Sequence, residues 1–383
     1  MIEERINRLR KAMRDKNSEI ALLNGYGNIK YFTGIDFDWN AIIEGSAILL
    51  ITESRGKLFV PIEKVNGFKN ASRTAEVIGY HRYTEIAANL EYAVETKKTI
   101  CIDKEHFNSE IFEKIFKTDS RNKIIEIDTD IKKIRMVKSE EEITIITRNT
   151  FLTDHGLAAA LHHVLVNAFR PEKGLSELIR LHCLERGMEM HGYNNHALVA
   201  SGVQAKKYIP DPPFYRIGGG KQLARGETVR IEVCTKRNGY FSEVSRMLYM
   251  GEQTEQQEQG YEKLNKLREK ILESIVVQKK ISECTEEIIK YSENNNIRLF
   301  SKNLGHSIGV EQEEFPMLTE GENEVFVDNM VFVLTPRIIT DNDEIISNFD
   351  TVVIKNGVPN IVGWYKNWRS PYIAQDSFPH GSG

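Results

Sequence analysis

Glu232 to Arg246 reads EVCTKRNGYFSEVSR, and this stretch decides the fold. The run that feeds it, Val229-Arg230-Ile231-Glu232-Val233, alternates apolar and polar side chains as a strand does, with Glu232 on one face. Asn238-Gly239 is the dipeptide that closes a tight hairpin. The returning run, Tyr240 to Tyr249, is aromatic and partly apolar and carries Glu243 and Arg246. Two carboxylates on paired strands, eleven positions apart (243 − 232), can converge on one point. There they can bind a metal, bind a cation or move protons. An arbitrary hairpin leaves both in solvent, because glutamate is mostly exposed; the rest of the chain weighs against that here.

Upstream, Ile134-Arg135-Met136-Val137-Lys138-Ser139-Glu140-Glu141-Glu142 marks a boundary. Ser139 is a natural N-cap, and Glu142 three positions later completes a capping box. A long helix is predicted to about Ala168, with His155, His162 and His163 along it, none at ligand spacing from an acidic partner. Pro171, Lys173 and Gly174 break it, and a second helix is predicted from Ser176 to about Arg186. His196 to Ala200 reads as a strand, and Tyr208 to Gly220 as a loop rich in Pro and Gly. Gly218-Gly219-Gly220 before Lys221 does not match a phosphate-loop spacing. Downstream, Gln253 to Ser292 holds one or two amphipathic helices with Leu264, Leu267, Ile271 and Ile275 on one face. Met330 to Leu334 and Thr351 to Ile354 read as buried strands.

Before the boundary, residues 2 to 16 form an amphipathic helix pattern with Ile2, Ile6, Leu9 and Met13 at helical spacing. Strands are predicted at Glu19 to Leu23, Ala47 to Thr52, Lys57 to Val60 and Thr99 to Ile102. Between them lies an acidic, aromatic loop, Asp36-Phe37-Asp38-Trp39. Strands alternating with helices make this an α/β domain.

With 383 residues the chain exceeds one ordinary core, so two domains are expected, 1–133 and 134–383. At 40% hydrophobic and 28% charged residues it reads as globular. A net charge of −4 gives no reason to expect nucleic acid or an anionic membrane. The charged, amphipathic N-terminus lacks the apolar core of a signal peptide, and no apolar run reaches membrane-spanning length, so a cytoplasmic location is expected. Cys101, Cys183, Cys234 and Cys284 lie far apart, as free thiols in a reducing compartment would, and form no zinc-type pair.

Five ordered segments then carry a resemblance. Asn28 to Gly34 looks like an "NxxYxTG" signature. Arg135 to Ile143 looks like "R-x-x-K-S-x-x-E-I". Glu232 through Gly239-Tyr240 to Glu243 and Arg246 looks like "D…GYxxDxxR". Gly305-His306-Ser307-Ile308-Gly309 with Pro316 looks like "GHGIG…HExP". Met330-Val331-Phe332 with Pro336 looks like "MVFTxEPG". Together they resemble the pita-bread proteins: creatinase, prolidase, Xaa-Pro aminopeptidase and methionine aminopeptidase. The resemblance covers nearly the whole chain. It implies a mixed α/β (α+β) fold, with a small creatinase-like N-terminal domain, a C-terminal pita-bread domain, and a homodimer.

The departures carry as much information. The family's metallopeptidases hold two divalent metals with two aspartates, a histidine and two glutamates. Those positions fall on Glu232, Glu243, His306, Thr335 and Phe349. The second histidine of "HExP" falls on Glu313, and the histidine expected near Tyr208-Ile209 is missing. Two divalent ions need carboxylates to offset four positive charges. Threonine is a weak neutral ligand, phenylalanine is none, and the longer Glu arms displace each carboxylate by more than coordination tolerates. No cofactor is therefore expected, with a single divalent ion on Glu232, Glu243 and His306 left open.

Creatinase sets the precedent for metal-free C–N hydrolysis, although its histidine and one of its glutamates are absent here too. The pocket implied by the resemblance gathers His306, Glu243 and Glu232 as catalytic groups. Glu313, Arg337, Thr335, Phe349 and Tyr240 would contact the substrate, and Asp36, Asp38 and Trp39 would grip a cation. Three functions follow: a metal-independent hydrolase or lyase acting on a C–N bond of a small cationic nitrogenous compound, a binding protein that has lost the chemistry, or an Xaa-Pro peptidase with an atypical metal site. The two replacements of Asp by Glu preserve charge and favour the first.

Overall fold

The computed structural model describes residues 2–36, 46–69, 74–86, 99–107, 109, 112–113, 123–166, 171–192, 195–207, 221–364 and 370–374. The chain divides into two compact units, Met1–Arg135 and Met136–Gly383.

The first unit opens with helix α1 (Ile2–Asp15), whose Ile6, Leu9 and Met13 are buried at helical spacing. Strand β1 (Ile20–Leu23) follows, then helix α2 (Tyr26–Thr33). The remaining strands are β2 (Ile48–Thr52), β3 (Gly56–Pro61), β4 (Glu76–Tyr80), β5 (Thr99–Ile102) and β6 (Lys123–Glu126). They form a six-stranded mixed sheet in the order β4-β3-β2-β1-β5-β6. Ile20, Leu22, Ile48, Leu50, Phe59, Ile100 and Ile102 make its core. Asn28 and Gly34, two residues that match the signature, have structural tasks. The Asn28 amide donates to Asp103 at 2.9 Å and accepts from Arg135 at 2.9 Å. Gly34 caps α2 at φ 72°, a left-handed conformation that suits glycine, with its N–H on the Lys30 carbonyl. Burial pushes the Asp103 carboxyl up to about 6, against the Asn28 amide and the Gly25 and Asn24 N–H groups that favour its charged form.

Helix α3 (Asp128–Met136) leads to α4 (Glu140–Val166). The capping box forms: the Ser139 N–H donates to Glu142 at 3.0 Å, and the Glu142 N–H donates to the Ser139 hydroxyl at 3.3 Å. Helix α5 spans Glu172–Glu185, four residues earlier than Ser176 predicts. Pro171 serves as its N-cap, and the Ser176 hydroxyl, inside the helix, donates to the Ala197 carbonyl at 2.8 Å. Proline's fixed φ suits a helix start, which outweighs the serine signal.

Strands β7 (Glu189–His191), β8 (Leu198–Ser201), β9 (Thr228–Arg237) and β10 (Tyr240–Met250) follow. Helices α6 (Glu255–Ser274) and α7 (Ile281–Asn294) come next, so the 253–292 stretch holds two helices. The chain then adds β11 (Arg298–Leu299), β12 (Gly305–Ser307), β13 (Glu314–Met317), β14 (Val331–Leu334), β15 (Arg337–Ile339), β16 (Ile345–Ser347), β17 (Asp350–Lys355), β18 (Val358–Val362) and β19 (Tyr372–Ala374). One sheet runs β19-β10-β9-β7, with β8 also on β9; a second runs β11-β15-β16; a third runs β13-β12-β14-β17-β18. Apolar residues of α6 and α7 pack against the third sheet, and those of α4 and α5 against the first. Among the described residues no helix is long and apolar enough to cross a membrane, and all four cysteines are buried.

Candidate active site

The hairpin forms as its sequence directs. Asn238 and Gly239 take φ of 50° and 80°, the left-handed pair that a two-residue turn requires. In the register of β9 and β10, Ser245 faces Glu232 and Glu243 faces Cys234. Glu232 and Cys234 are two apart on one strand, so Glu232 and Glu243 lie on the same face, diagonally across the ladder. Both are almost sealed from solvent.

The third sheet supplies the histidine. His306 pairs with Val333, and Gly305 with Leu334. A Cβ at Gly305 would meet the Val333 carbonyl at 2.4 Å, so only glycine lets these strands approach. A Cβ at Gly309 would sit 2.6 Å from the Glu314 carboxylate, so glycine is needed there too. The Gly309 carbonyl accepts the Phe241 N–H at 2.9 Å and ties this loop to the hairpin. From α4's approach, the buried Lys138 ammonium donates to the Ser307 hydroxyl at 2.6 Å and to Glu314 at 3.3 Å.

His306 Nδ1 lies 3.0 Å from the Ser307 carbonyl oxygen. A carbonyl only accepts, so Nδ1 carries a proton, and Nε2 is the nitrogen that gains and loses the second one. Nε2 stands 3.5 Å from the Glu243 carboxylate, whose Oε2 also accepts the Gln312 amide at 3.1 Å. Burial pulls the His306 pKa down, but the Glu243 contact and charge, the Ser307 carbonyl and the Glu313 charge outweigh it, and the net shift is upward. Glu313 itself is exposed.

Glu232 is met differently. The Arg337 guanidinium forks onto it, Nη2 to Oε2 at 3.2 Å and Nε to Oε1 at 3.4 Å. Arg230, fully buried two positions before it on the same strand face, approaches Oε1 at 3.4 Å, and the Ser347 hydroxyl reaches Oε1 at 3.5 Å. The Arg337 guanidinium carbon lies 4.4 Å from the centre of the buried Phe349 ring, a cation–π stack. Phe349 is fixed by a backbone bridge to Ser245, the residue facing Glu232. Beneath this group, Arg246 donates to Asp154 at 2.8 Å, and Arg268 pairs with Asp350.

The structure thus brings Glu232, Arg337 and Phe349 together, and His306 with Glu243. Thr335 is buried, its N–H on the Leu304 carbonyl at 2.8 Å. Tyr240 is not gathered with the carboxylates: its hydroxyl donates to Glu142 at 3.3 Å. An odd step along a strand puts Tyr240 and Glu243 on opposite faces. Asp36, in the first unit, is 3.0 Å from the Lys30 ammonium and accepts from the Tyr26 hydroxyl at 3.2 Å. Asp38, Trp39, Tyr208 and Ile209 lie outside the described residues. Sequence reasoning did not single out Arg230, Gln312 or Ser347, and it placed Lys138 only in the boundary motif. Arg230 was within reach, because strand alternation places residue i with residue i+2.

The donor set does not fit two divalent ions. Thr335 and Phe349 bring no carboxylate, and the Glu232 oxygens are engaged by guanidinium groups. Among the described residues no three His, Cys, Asp or Glu side chains are arranged to hold an ion.

Comparison with known proteins places the chain. Metallopeptidase family M24 matches residues 150–356, and the creatinase/prolidase N-terminal domain matches residues 5–137. An Xaa-Pro dipeptidase of Pyrococcus furiosus is 24% identical over 365 residues, covering 94% of this chain and 98% of that protein. Among solved structures, an X-Pro aminopeptidase from Thermotoga maritima superposes with a TM-score of 0.82 at 19% identity, over 96% of this chain and 99% of that one. The N-terminal domain of a FACT complex subunit from chickpea, Cicer arietinum, does so at 0.74 and 15% identity, over 96% and 98%. These matches bear out the pita-bread fold: the chain belongs to metallopeptidase family M24, the creatinase/prolidase group of pita-bread proteins.

Proposed function

We propose that this chain is a metal-independent hydrolase that cuts a C–N bond of a small nitrogenous compound, with His306 and Glu243 as its acid–base pair. The observation that carries this reading is the His306 geometry. Its Nδ1 is committed to a carbonyl, and Nε2, the nitrogen that titrates, faces a buried carboxylate that favours its protonated form. That arrangement suits general base catalysis. Nε2 takes a proton from water as the water oxygen bonds to the substrate carbon, and Glu243 stabilises the resulting imidazolium. The C–N bond then breaks, and the same proton goes to the leaving nitrogen. Arg337 would polarise the substrate's oxygen, held for that purpose by Glu232, a positioning residue. A cationic group on the substrate would meet the exposed Glu313.

The second reading is a binding protein without chemistry. It is favoured by the packing of Arg337 on Phe349, which fills space beside Glu232. The similarity to a FACT subunit shows that the fold extends beyond peptidases by name.

The test is a product assay by mass spectrometry over small amides, guanidino compounds and Xaa-Pro dipeptides, each with EDTA and with Mn²⁺. Turnover indifferent to EDTA is expected, falling roughly 10²–10⁴-fold in His306→Asn and Glu243→Gln. Cleavage of Xaa-Pro dipeptides only with Mn²⁺ overturns the proposal, and no turnover of any class favours the binding reading.

A further inference from the structure

We infer that Arg337, stacked on Phe349, is a resident cation that takes the place of the family's metal charge and keeps divalent ions out. Two replacements that look independent in sequence, Arg337 and Phe349, meet in space at Glu232, and a third, Thr335, removes a carboxylate. In the motif "MVFTxEPG" the glutamate falls on Thr335 and the following glycine on Arg337. The second expected glutamate falls on Phe349. Losing two carboxylates leaves a site that could not neutralise two dications. Gaining a guanidinium returns one positive charge to it. The longer Glu232 arm accepts that guanidinium through both oxygens, at 3.2 and 3.4 Å. Phe349 offers an aromatic face to the cation where a glutamate would have offered oxygen, 4.4 Å from ring centre to guanidinium carbon.

The substitutions therefore compensate one another, which random decay of an unused site has no reason to produce. A divalent ion arriving at Glu232 meets oxygens already engaged and a like charge beside them. Arg230 adds a second positive charge at 3.4 Å. The exclusion resides in Arg337 because its position is the one where the motif has glycine, with no side chain at all.

The inference concerns bound metal, not turnover, so it can fail while the proposed activity stands, and the reverse. The experiment compares the wild-type chain, Thr335→Glu/Phe349→Glu, and Thr335→Glu/Arg337→Gly/Phe349→Glu. Each is incubated with excess Mn²⁺, Co²⁺ or Zn²⁺, desalted, and assayed for metal per chain and for melting temperature. The wild type and the double variant are expected to hold almost none and to melt unchanged. The triple variant is expected to retain roughly one ion per chain or more and to melt higher with metal, because a site formed by folding stabilises the fold. If the triple variant does not fold alone, Mn²⁺ in the growth medium is expected to restore it. Stoichiometric metal in the wild type overturns the inference. So does a double variant that binds as well as the triple, or a triple variant that stays metal-indifferent or insoluble with Mn²⁺.

Discussion

Glu232 and Glu243 share one face of one hairpin and nearly the same burial, yet their charges are met by different chemistry. Glu232 is held by two guanidinium groups that stay charged at any working pH. Glu243 is held by an imidazole and an amide, and the imidazole can give up its proton. The first arrangement is a fixed electrostatic frame, and the second is adjustable. One hairpin face thus carries a carboxylate between guanidinium groups and another beside an imidazole and an amide.

The strongest way to break this contrast is Glu232→Gln. It leaves Arg230 and Arg337 without their common counter-charge, and stranding buried charges costs about 3–5 kcal/mol. Urea unfolding at neutral pH measures it; a loss under about 1 kcal/mol would mean the guanidinium charges are balanced elsewhere.

Glu243→Gln should cost less, about 1–2 kcal/mol, because His306 can respond by going neutral. The sign of its pH dependence follows from the upward shift. Burial opposes that shift, but Glu243 and the Ser307 carbonyl win. A raised histidine pKa contributes stability that is fully present below the unfolded value, 6.5, and is lost as pH rises through the folded one. The gap between wild type and Glu243→Gln should thus be widest in mild acid and shrink upward through that window. A gap that stays flat across it would show that the pair is not proton-linked.

Arg337→Lys should show the smallest effect, about 1 kcal/mol. It keeps the charge but loses the two-pronged contact and the flat stacking surface on Phe349. Thermal melting measures it. A lysine that costs nothing would reduce the Arg337–Glu232 contact to a simple point-charge pair.

Much of this architecture was legible in the chain before any coordinates. The hairpin followed from alternation plus Asn238-Gly239, and the start of α4 from Ser139 and Glu142, because those signals act over a few residues. The strand at Thr99–Ile102 matched residue for residue. The start of α5 was missed because Pro171 and Ser176 both signal a helix start, and their competition is decided by tertiary contact. Of the candidate site, Glu232, Glu243 and His306 were legible as burial-seeking polar groups in motif positions, and all three are buried. The partners of Glu232 were harder. Arg337 lies 105 positions from Glu232, and only the folded sheets reveal that a guanidinium and a carboxylate so far apart in the chain form one unit. Gln312 likewise reaches Glu243 across 69 positions, with no local pattern to announce it.

The orientation of His306 has a consequence for how such sites change over time. Its ring is anchored by the carbonyl of the very next residue, so the direction of its basic nitrogen is written into the local chain. Neighbouring side chains can be exchanged one after another, and that nitrogen still faces the hairpin. In a lineage drifting from one chemistry toward another, this makes the histidine the inherited part and its surroundings the negotiable part. The ring keeps its aim whatever stands around it, because that aim is set by the adjoining peptide.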